Sequence, residues 1–234
     1  MATETLDYKG AEIKVVANTH WERRFRIKPV FKEPETAAWI DEYVQKDDVF
    51  YDIGANVGGY GLIAASRGAE VFAFEPEAMN YGRLVQNIGL NPDLGITPLP
   101  FAIWDRHELL TMHMQESMPG AADHQITSDP ALDGRPFRQA IFTVAIDDLP
   151  TWDIPQPAHM KIDVDGCESR VLAGATLTLG METLRSVMVE IDHGQEDGQS
   201  RDNIFEMMKT AGLSEADSWH RSPMLKNHLF VRPA

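Results

Sequence analysis

The stretch V49-F-Y-D-I-G-A-N-V-G-G-Y-G61 constrains this chain more than any other. Val49 to Ile53 reads as a buried strand that breaks at Gly54 into a turn of small residues, with a helix expected from near Val57. Glycine lets a backbone approach a ligand closely. The helix N-terminus that follows presents N–H groups with no partner inside the helix. Together these parts make a nucleotide-cofactor loop. A dinucleotide loop is spelled G-x-G-x-x-G, its first glycine directly after the strand. Here Gly54, Gly58, Gly59 and Gly61 give G-x-x-x-G-G-x-G, and an acid, Asp52, sits inside the strand end. Asn56 stands where the dinucleotide loop has its second glycine. Its side-chain amide is free to meet a ligand carboxylate or to brace the turn.

The surrounding composition narrows the partners. At 234 residues and 43% hydrophobic content, the chain suits one α/β domain with a sizeable core. Lys plus Arg number 21 against 36 Asp plus Glu, a formal charge of −15. An acidic chain repels phosphate backbones, so nucleic acid is not expected as a partner. The basic run Arg23, Arg24, Arg26 and Lys28 is short and reads as solvated surface. Cys167 is the only cysteine, which allows no disulfide within the chain and suits a reducing compartment. The N-terminus lacks a basic start followed by an apolar run, and no stretch reaches the roughly 18 apolar residues of a membrane helix. A soluble cytoplasmic protein is the expectation. The oligomeric state is left open, a homodimer included.

Taken in order, residues 1–32 form an N-terminal arm that packs on, or lids, the domain. I13-K-V-V-A is a candidate short strand, and W21-E-R-R-F-R-I a strand or irregular segment. A single domain is expected over 33–234. Pro34 opens a helix carrying Ala37, Ala38, Ile40, Tyr43 and Val44. After the loop, the helix to Arg67 ends at Gly68, and E70-V-F-A-F-E-P is a second strand closing on Glu75. Glu75 falls about 20 residues after Gly54, where an acid accepts hydrogen bonds from a ribose diol. A helix over Met79–Asn91 follows, then a third strand over Ile96–Asp105 whose prolines suggest a sheet edge. Its end places Phe101, Ala102 and Ile103 as candidate walls for an adenine. Residues 106–157 depart from the alternation: L109-L-T-M-H-M and I141-F-T-V-A-I read as strands of a hairpin-like insertion, with loops at M118-P-G-A-A-D-H and D129-P-A-L-D-G-R-P and a mobile tip near the site. A158-H-M-K-I-D-V-D-G is the fourth strand, Glu168–Leu179 a helix, S186-V-M-V-E-I-D-H the fifth strand, and Asn203–Ala211 a helix. Two last strands are expected near Glu215–Trp219 and Asn227–Arg232.

D-x-G-x-x-x-G at Asp52–Gly58 is similar to the S-adenosylmethionine loop of class I methyltransferases. With E-P-E-T before the first strand, F-E-P, K-I-D-V-D-G-C-E and the late V-E-I-D, in this order, the chain from about residue 33 onward resembles the FkbM-type methyltransferase family. That family's fourth-strand motif is similar to K-I-D-V-E-G, so Asp165 stands where Glu is commoner. The resemblance implies a Rossmann-like three-layer α/β sandwich with a seven-stranded, mostly parallel sheet and an antiparallel last strand. It also implies S-adenosylmethionine as cofactor and O-methylation of a hydroxyl, on a sugar, glycan or secondary metabolite.

Ligands of open α/β sheets bind outside the carboxyl ends of the strands. The donor is assigned to Asp52, Gly54, Ala55, Asn56, Gly58, Glu75, Phe101 and Ala102. Methyl transfer needs the acceptor oxygen in line with the methyl group and its proton removed. Asp163 is the first candidate base, with a cofactor contact or helix cap as its other reading. His193 is the second, by virtue of its ordinary pKa, and reads equally as a loop histidine beside Gly194. Lys161 is the third catalytic candidate: it lies two places from Asp163 on the same strand face and needs a buried partner, Asp163 or Glu190, which reads as an ion pair that positions Asp163, with direct donation to the acceptor as the other reading. The acids at 163, 165, 190 and 192 admit Mg²⁺ as a weaker alternative, and no metal ligands are assigned. Rival activities are methylation of nitrogen or a carboxylate, nicotinamide-dependent oxidoreduction, and a non-catalytic binding domain.

Overall fold

A computed structural model describes residues 2–122, 124–127, 134–194 and 199–233. The chain opens with a small antiparallel pair, β1 (Thr3–Thr5) and β2 (Lys14–Val16). A five-residue π turn over Glu22–Arg26 and a single helical turn α1 (Pro29–Lys32) lead into α2 (Pro34–Tyr43). Then come β3 (Val49–Ile53), α3 (Gly59–Ser66), β4 (Glu70–Phe74), α4 (Ala78–Gly89) and β5 (Ile96–Leu99). The next strands are β6 (Ala102–Trp104), β7 (Glu108–Met114), β8 (Gln125–Thr127) and β9 (Phe137–Ala145), followed by a 3-10 turn at Ile146–Trp152. The chain closes with β10 (His159–Ile162), α5 (Glu168–Ala173), α6 (Thr176–Leu179), β11 (Ser186–Asp192), α7 (Gln199–Thr210), β12 (Ser214–His220) and β13 (Leu225–Val231).

Seven strands form one sheet in the order β12-β13-β11-β10-β3-β4-β5. The run from β11 to β5 is parallel, and β13 enters antiparallel between β11 and β12. The expected sheet is present, with β5 at its edge, where Pro98 lacks a backbone donor at no cost to a further strand. Side chains alternate between two apolar layers. Tyr51, Ile53, Phe72, Phe74, Met160, Ile162, Val187 and Val189 point to one. Phe50, Val71, Ala73 and Met188 point to the other, with Trp39, Ile40 and Leu62 from the helices. Spacing of two therefore puts Asp52, Lys161, Asp163 and Glu190 on the second face.

Three local readings are corrected. Residues 96–105 are not one strand: pairing with β4 stops at Leu99, Pro100 interrupts, and β6 joins β9 in parallel in a separate four-stranded sheet, β6-β9-β7-β8. The 168–179 helix is two pieces split at Gly174. A Cβ there would lie 2.0 Å from the Trp104 carbonyl oxygen, so the close approach of β6 requires glycine. Trp21–Ile27 is a helical turn rather than a strand.

The arm belongs to the fold. Leu6, Tyr8, Ile13 and Val15 are buried against Trp39, Val44 and Leu84. Asn87 and Asn91 of α4 and its end accept from the Val16 and Lys14 N–H groups at 2.8 and 2.9 Å. The buried Glu22 pairs with Arg83. Thr19 Oγ1 and Arg26 Nε donate to the carbonyls of Pro119 and Gly120 at 2.8 and 2.9 Å, so the arm also grips the loop after β7. Of the 129–136 loop in the insertion, where a mobile tip is expected, residues 129–133 lie outside the described residues.

Candidate active site

The carboxyl ends of β3, β4, β10 and β11 open onto a cavity of about 230 Å³. Its lining falls into two groups by chain origin: Gly54, Asn56, Glu75, Phe101 and Ala102 make a first side, and Asp163, Asp165, Glu190 and Arg221 make a second, the two meeting where Gly54 abuts the Asp163 carbonyl. A smaller pocket beside it, under the π turn, is bounded by Arg26, Lys32, Asp52, Ala55, Tyr60 and Lys161.

Backbone geometry builds the first side. Gly54 has φ +81°, and a Cβ there would lie 1.9 Å from the Asp163 carbonyl oxygen. No other residue lets β3 pass so close to the end of β10. The Gly54 and Ala55 N–H groups both donate to the Phe74 carbonyl at 3.0 Å, which ties the loop to β4. Gly58, the residue before α3, also has positive φ, and its N–H closes the turn onto the Ala55 carbonyl at 2.8 Å.

Asp52 is 1% exposed, and its Oδ2 accepts from the Gly61 N–H at 2.9 Å in the first turn of α3. Burial pushes its carboxyl up to about 6, against the pull of Lys161 and that N–H. Glu75 is 5% exposed; its oxygens accept from the N–H groups of Asn56 and Glu77, each at 2.8 Å. Burial pushes this carboxyl up to about 8 despite those two donors. Asn56 braces the site rather than hanging free. Its Nδ2 donates to the Ala121 carbonyl at 2.7 Å, linking the glycine loop to the segment after β7, while its buried Oδ1 has no hydrogen-bond partner.

Charged side chains build the second side. Lys161 Nζ donates to Asp163 Oδ2 at 2.9 Å and lies over the Tyr60 ring, 4.9 Å from its centroid. Although burial pulls against it, Lys161 is kept charged by Asp163, Glu33 and Asp52. Lys161 in turn holds Asp163 far below the usual carboxylate range, overriding the burial that would raise it. The lysine therefore has the Asp163 partner its spacing suggested.

Two residues the sequence reading passed over complete this side. Arg221, in the β12–β13 turn, donates from Nε to Glu190 Oε1 at 3.1 Å and from Nη1 to the Lys32 carbonyl at 3.0 Å, and its Nη2 forms an ion pair with Glu33 Oε1 at 2.9 Å. Glu33 is 1% exposed and also meets Lys32 Nζ at 2.9 Å. The only sequence signal for this cluster was a second unpaired acid, Glu190, beside the Lys161 strand.

His193 does not reach the cavity. Its Nε2 lies 2.9 Å from Nε2 of His228, whose Nδ1 meets Glu215 at 2.7 Å, and burial followed by His228 pulls its pKa down. Asp165, at φ +55°, accepts from the His124 N–H at 3.0 Å and fastens the insertion to the end of β10. Among the described residues, no group of three or more His, Cys, Asp or Glu is arranged to hold a metal ion, and no helix is long and apolar enough to cross a membrane.

The strand order, the single reversed strand and the cavity above the glycine turn define the class I methyltransferase fold. Solved structures sharing it include an FkbM methyltransferase from Methylobacillus flagellatus, at 17% identity and TM-score 0.51, covering 78% of this chain and 43% of that one. Magnesium protoporphyrin IX methyltransferase from Synechocystis, with bound S-adenosylmethionine, superposes at TM-score 0.54 and 13% identity, covering 93% and 86%. The chain thus spans less than half of the first of these proteins. The hexuronic acid methyltransferase AglP of Haloferax volcanii is 29% identical over 176 residues, 74% of this chain and 68% of that protein. The methyltransferase FkbM domain model matches residues 52–217, and the chain belongs to that family.

Proposed function

We propose that this protein transfers a methyl group from S-adenosylmethionine to a hydroxyl of a sugar, glycan or related small metabolite. The observation that carries this reading is the continuity of one cavity. The glycine turn, Glu75 and Phe101 face the same space as Asp163, Glu190 and Arg221. A donor on the first side would have an acceptor directly across from its methyl group. Family membership supports the reaction class, and the hexuronic acid methyltransferase relative supports a sugar acceptor.

The residues on the first side suit the donor. A carboxylate offers about four acceptor positions, so Glu75 keeps capacity for a ribose diol after its two backbone contacts. The unpartnered Asn56 Oδ1 can accept from the donor's amino group. Gly54 lines the methionyl end of the cavity and Ala55 the smaller pocket beside it, while Gly58 lines neither and packs on Leu84, shaping the turn from behind; Phe101 and Ala102 wall the adenine. Asp52 supports the loop from beneath through the Gly61 N–H. S-adenosylmethionine supplies a methyl group already activated on a sulfonium. The protein must then hold the hydroxyl in line, exclude water and receive a proton. The Lys161–Asp163 pair fixes a charged wall on the acceptor side, while His193, outside the cavity, has no part in this reading.

Transfer of labelled methyl from S-adenosylmethionine to a panel of hydroxylated acceptors, uronic acids among them, tests the proposal. Methyl ethers on one acceptor class are expected. Labelling confined to amines or to carboxylates, or donor binding with no transfer to any hydroxyl, would overturn it.

A further inference from the structure

We propose that Glu190, oriented by Arg221, is the base that takes the proton of the acceptor hydroxyl. The inference rests on the methyl-transfer reading above and names the group that completes it.

Two carboxylates face the acceptor side of the cavity from neighbouring strands. The parallel register of β10 and β11 pairs Ile162 with Val189, so Asp163, the first residue past β10, and Glu190, the next in β11, follow this pair at the sheet's carboxyl edge, and both line the cavity. Their partners differ. Asp163 is bound directly by a buried lysine. An acid so stabilised as an anion has little proton affinity left for a weakly acidic sugar hydroxyl. Glu190 shares its cation: Arg221 also serves Glu33, and it meets Glu190 through Oε1 alone, leaving Oε2 for a substrate.

The charges facing Glu190 are Asp163 and Lys161 from β10, Arg221 from the β12–β13 turn and Glu33 before α2, with Asn227 beside it on β13. Burial first, then Asp163 and Glu33, raise its carboxyl against Arg221 and Lys161, to about 8. Adjacent acids pushed in opposite directions mark a division of roles, and a base works best with a pKa near the working pH. As the acceptor oxygen bonds the methyl carbon, its O–H bond breaks and the proton passes to Glu190. The electron pair of the broken C–S bond stays on sulfur, so the sulfonium's positive charge and the carboxylate's negative charge vanish together. A methyl ether, a thioether and a neutral carboxylic acid result. Glu190 is then the catalytic residue, and Arg221 a positioning residue.

Glu190→Gln keeps an oxygen for Arg221 and removes the proton acceptor. Turnover is expected to fall roughly 10²- to 10⁴-fold, while calorimetric affinity for S-adenosylmethionine stays unchanged. In the wild type kcat/KM should rise with pH through about 8. Infrared difference spectra should show carboxyl groups titrating there, one of which disappears in the variant. Glu190→Asp, which retracts the carboxylate, should lower turnover yet keep the rising limb, separating base from scaffold. Turnover of Glu190→Gln within three-fold of wild type, or a retained infrared titration, would overturn the assignment while leaving the methyltransferase reading intact. A wild type that binds no donor and methylates nothing would overturn both.

Discussion

The two walls of the cavity are built by different physics. The wall assigned to the donor is local and made of backbone: Gly54 to Gly61 and Glu75 are joined by short N–H contacts within one strand–turn–helix–strand unit. The second wall is assembled from the side chains of Glu33, Lys161, Asp163, Glu190 and Arg221, with Arg221 also reaching the Lys32 carbonyl 189 positions away. A backbone-built wall is fixed by glycine geometry and tolerates few substitutions. A wall of ion pairs depends on mutual neutralisation, so removing one member charges the rest.

The sharpest break should come on the side-chain wall. Lys161→Met strands Asp163 beside Asp52 and Glu33 and should cost roughly 3–5 kcal/mol in urea unfolding, as breaking a buried pair does. Next comes the backbone wall. Gly54→Ala drives a methyl group into the Asp163 carbonyl at positive φ and should cost on the order of 3 kcal/mol, with donor binding lost alongside. A loss below about 1 kcal/mol would show that the loop relaxes and is not backbone-fixed.

Glu75→Gln should weaken S-adenosylmethionine binding about ten-fold or more, the scale of a charge-assisted hydrogen bond. It should also change the response to pH. Glu75 and Glu190 lose their protons only near pH 8 when folded, against about 4.3 when unfolded. The stability these protonated carboxyls contribute is complete below that lower value and is lost as pH rises to 8. Thermal melts of the free protein should therefore fall between pH 5 and 8, and less steeply in Glu75→Gln. A ribose diol donating to Glu75 favours its anion, so donor binding at pH 7 should release a proton, read from calorimetry in buffers of different ionisation enthalpy. The smallest effect is expected for Asn56→Ala, about 1 kcal/mol from the lost brace to Ala121.

The same contrast explains what the sequence revealed. The strand–glycine–helix unit was legible because every part of it lies within 30 residues and obeys local rules. Lys161 and Asp163 were readable as neighbours because strand spacing alone puts them on one face. Arg221 and Glu33 were not, since nothing in a surface turn or a pre-helix Glu announces a partner nearly 190 residues away. Pro100, where the chain leaves one sheet for another, looked like an ordinary edge-strand proline. Gly174 likewise gave no sign that the Trp104 carbonyl would press against it. Nor did His193 announce its stacking on His228, a contact made only once β13 lies beside β11.

Titration of S-adenosylmethionine and of NAD into the wild type and Glu75→Gln bears most directly on the two-walled cavity. Binding of the methyl donor to the wild type, at least ten-fold weaker in the variant, is expected. Tight NAD binding with no heat from S-adenosylmethionine would contradict it.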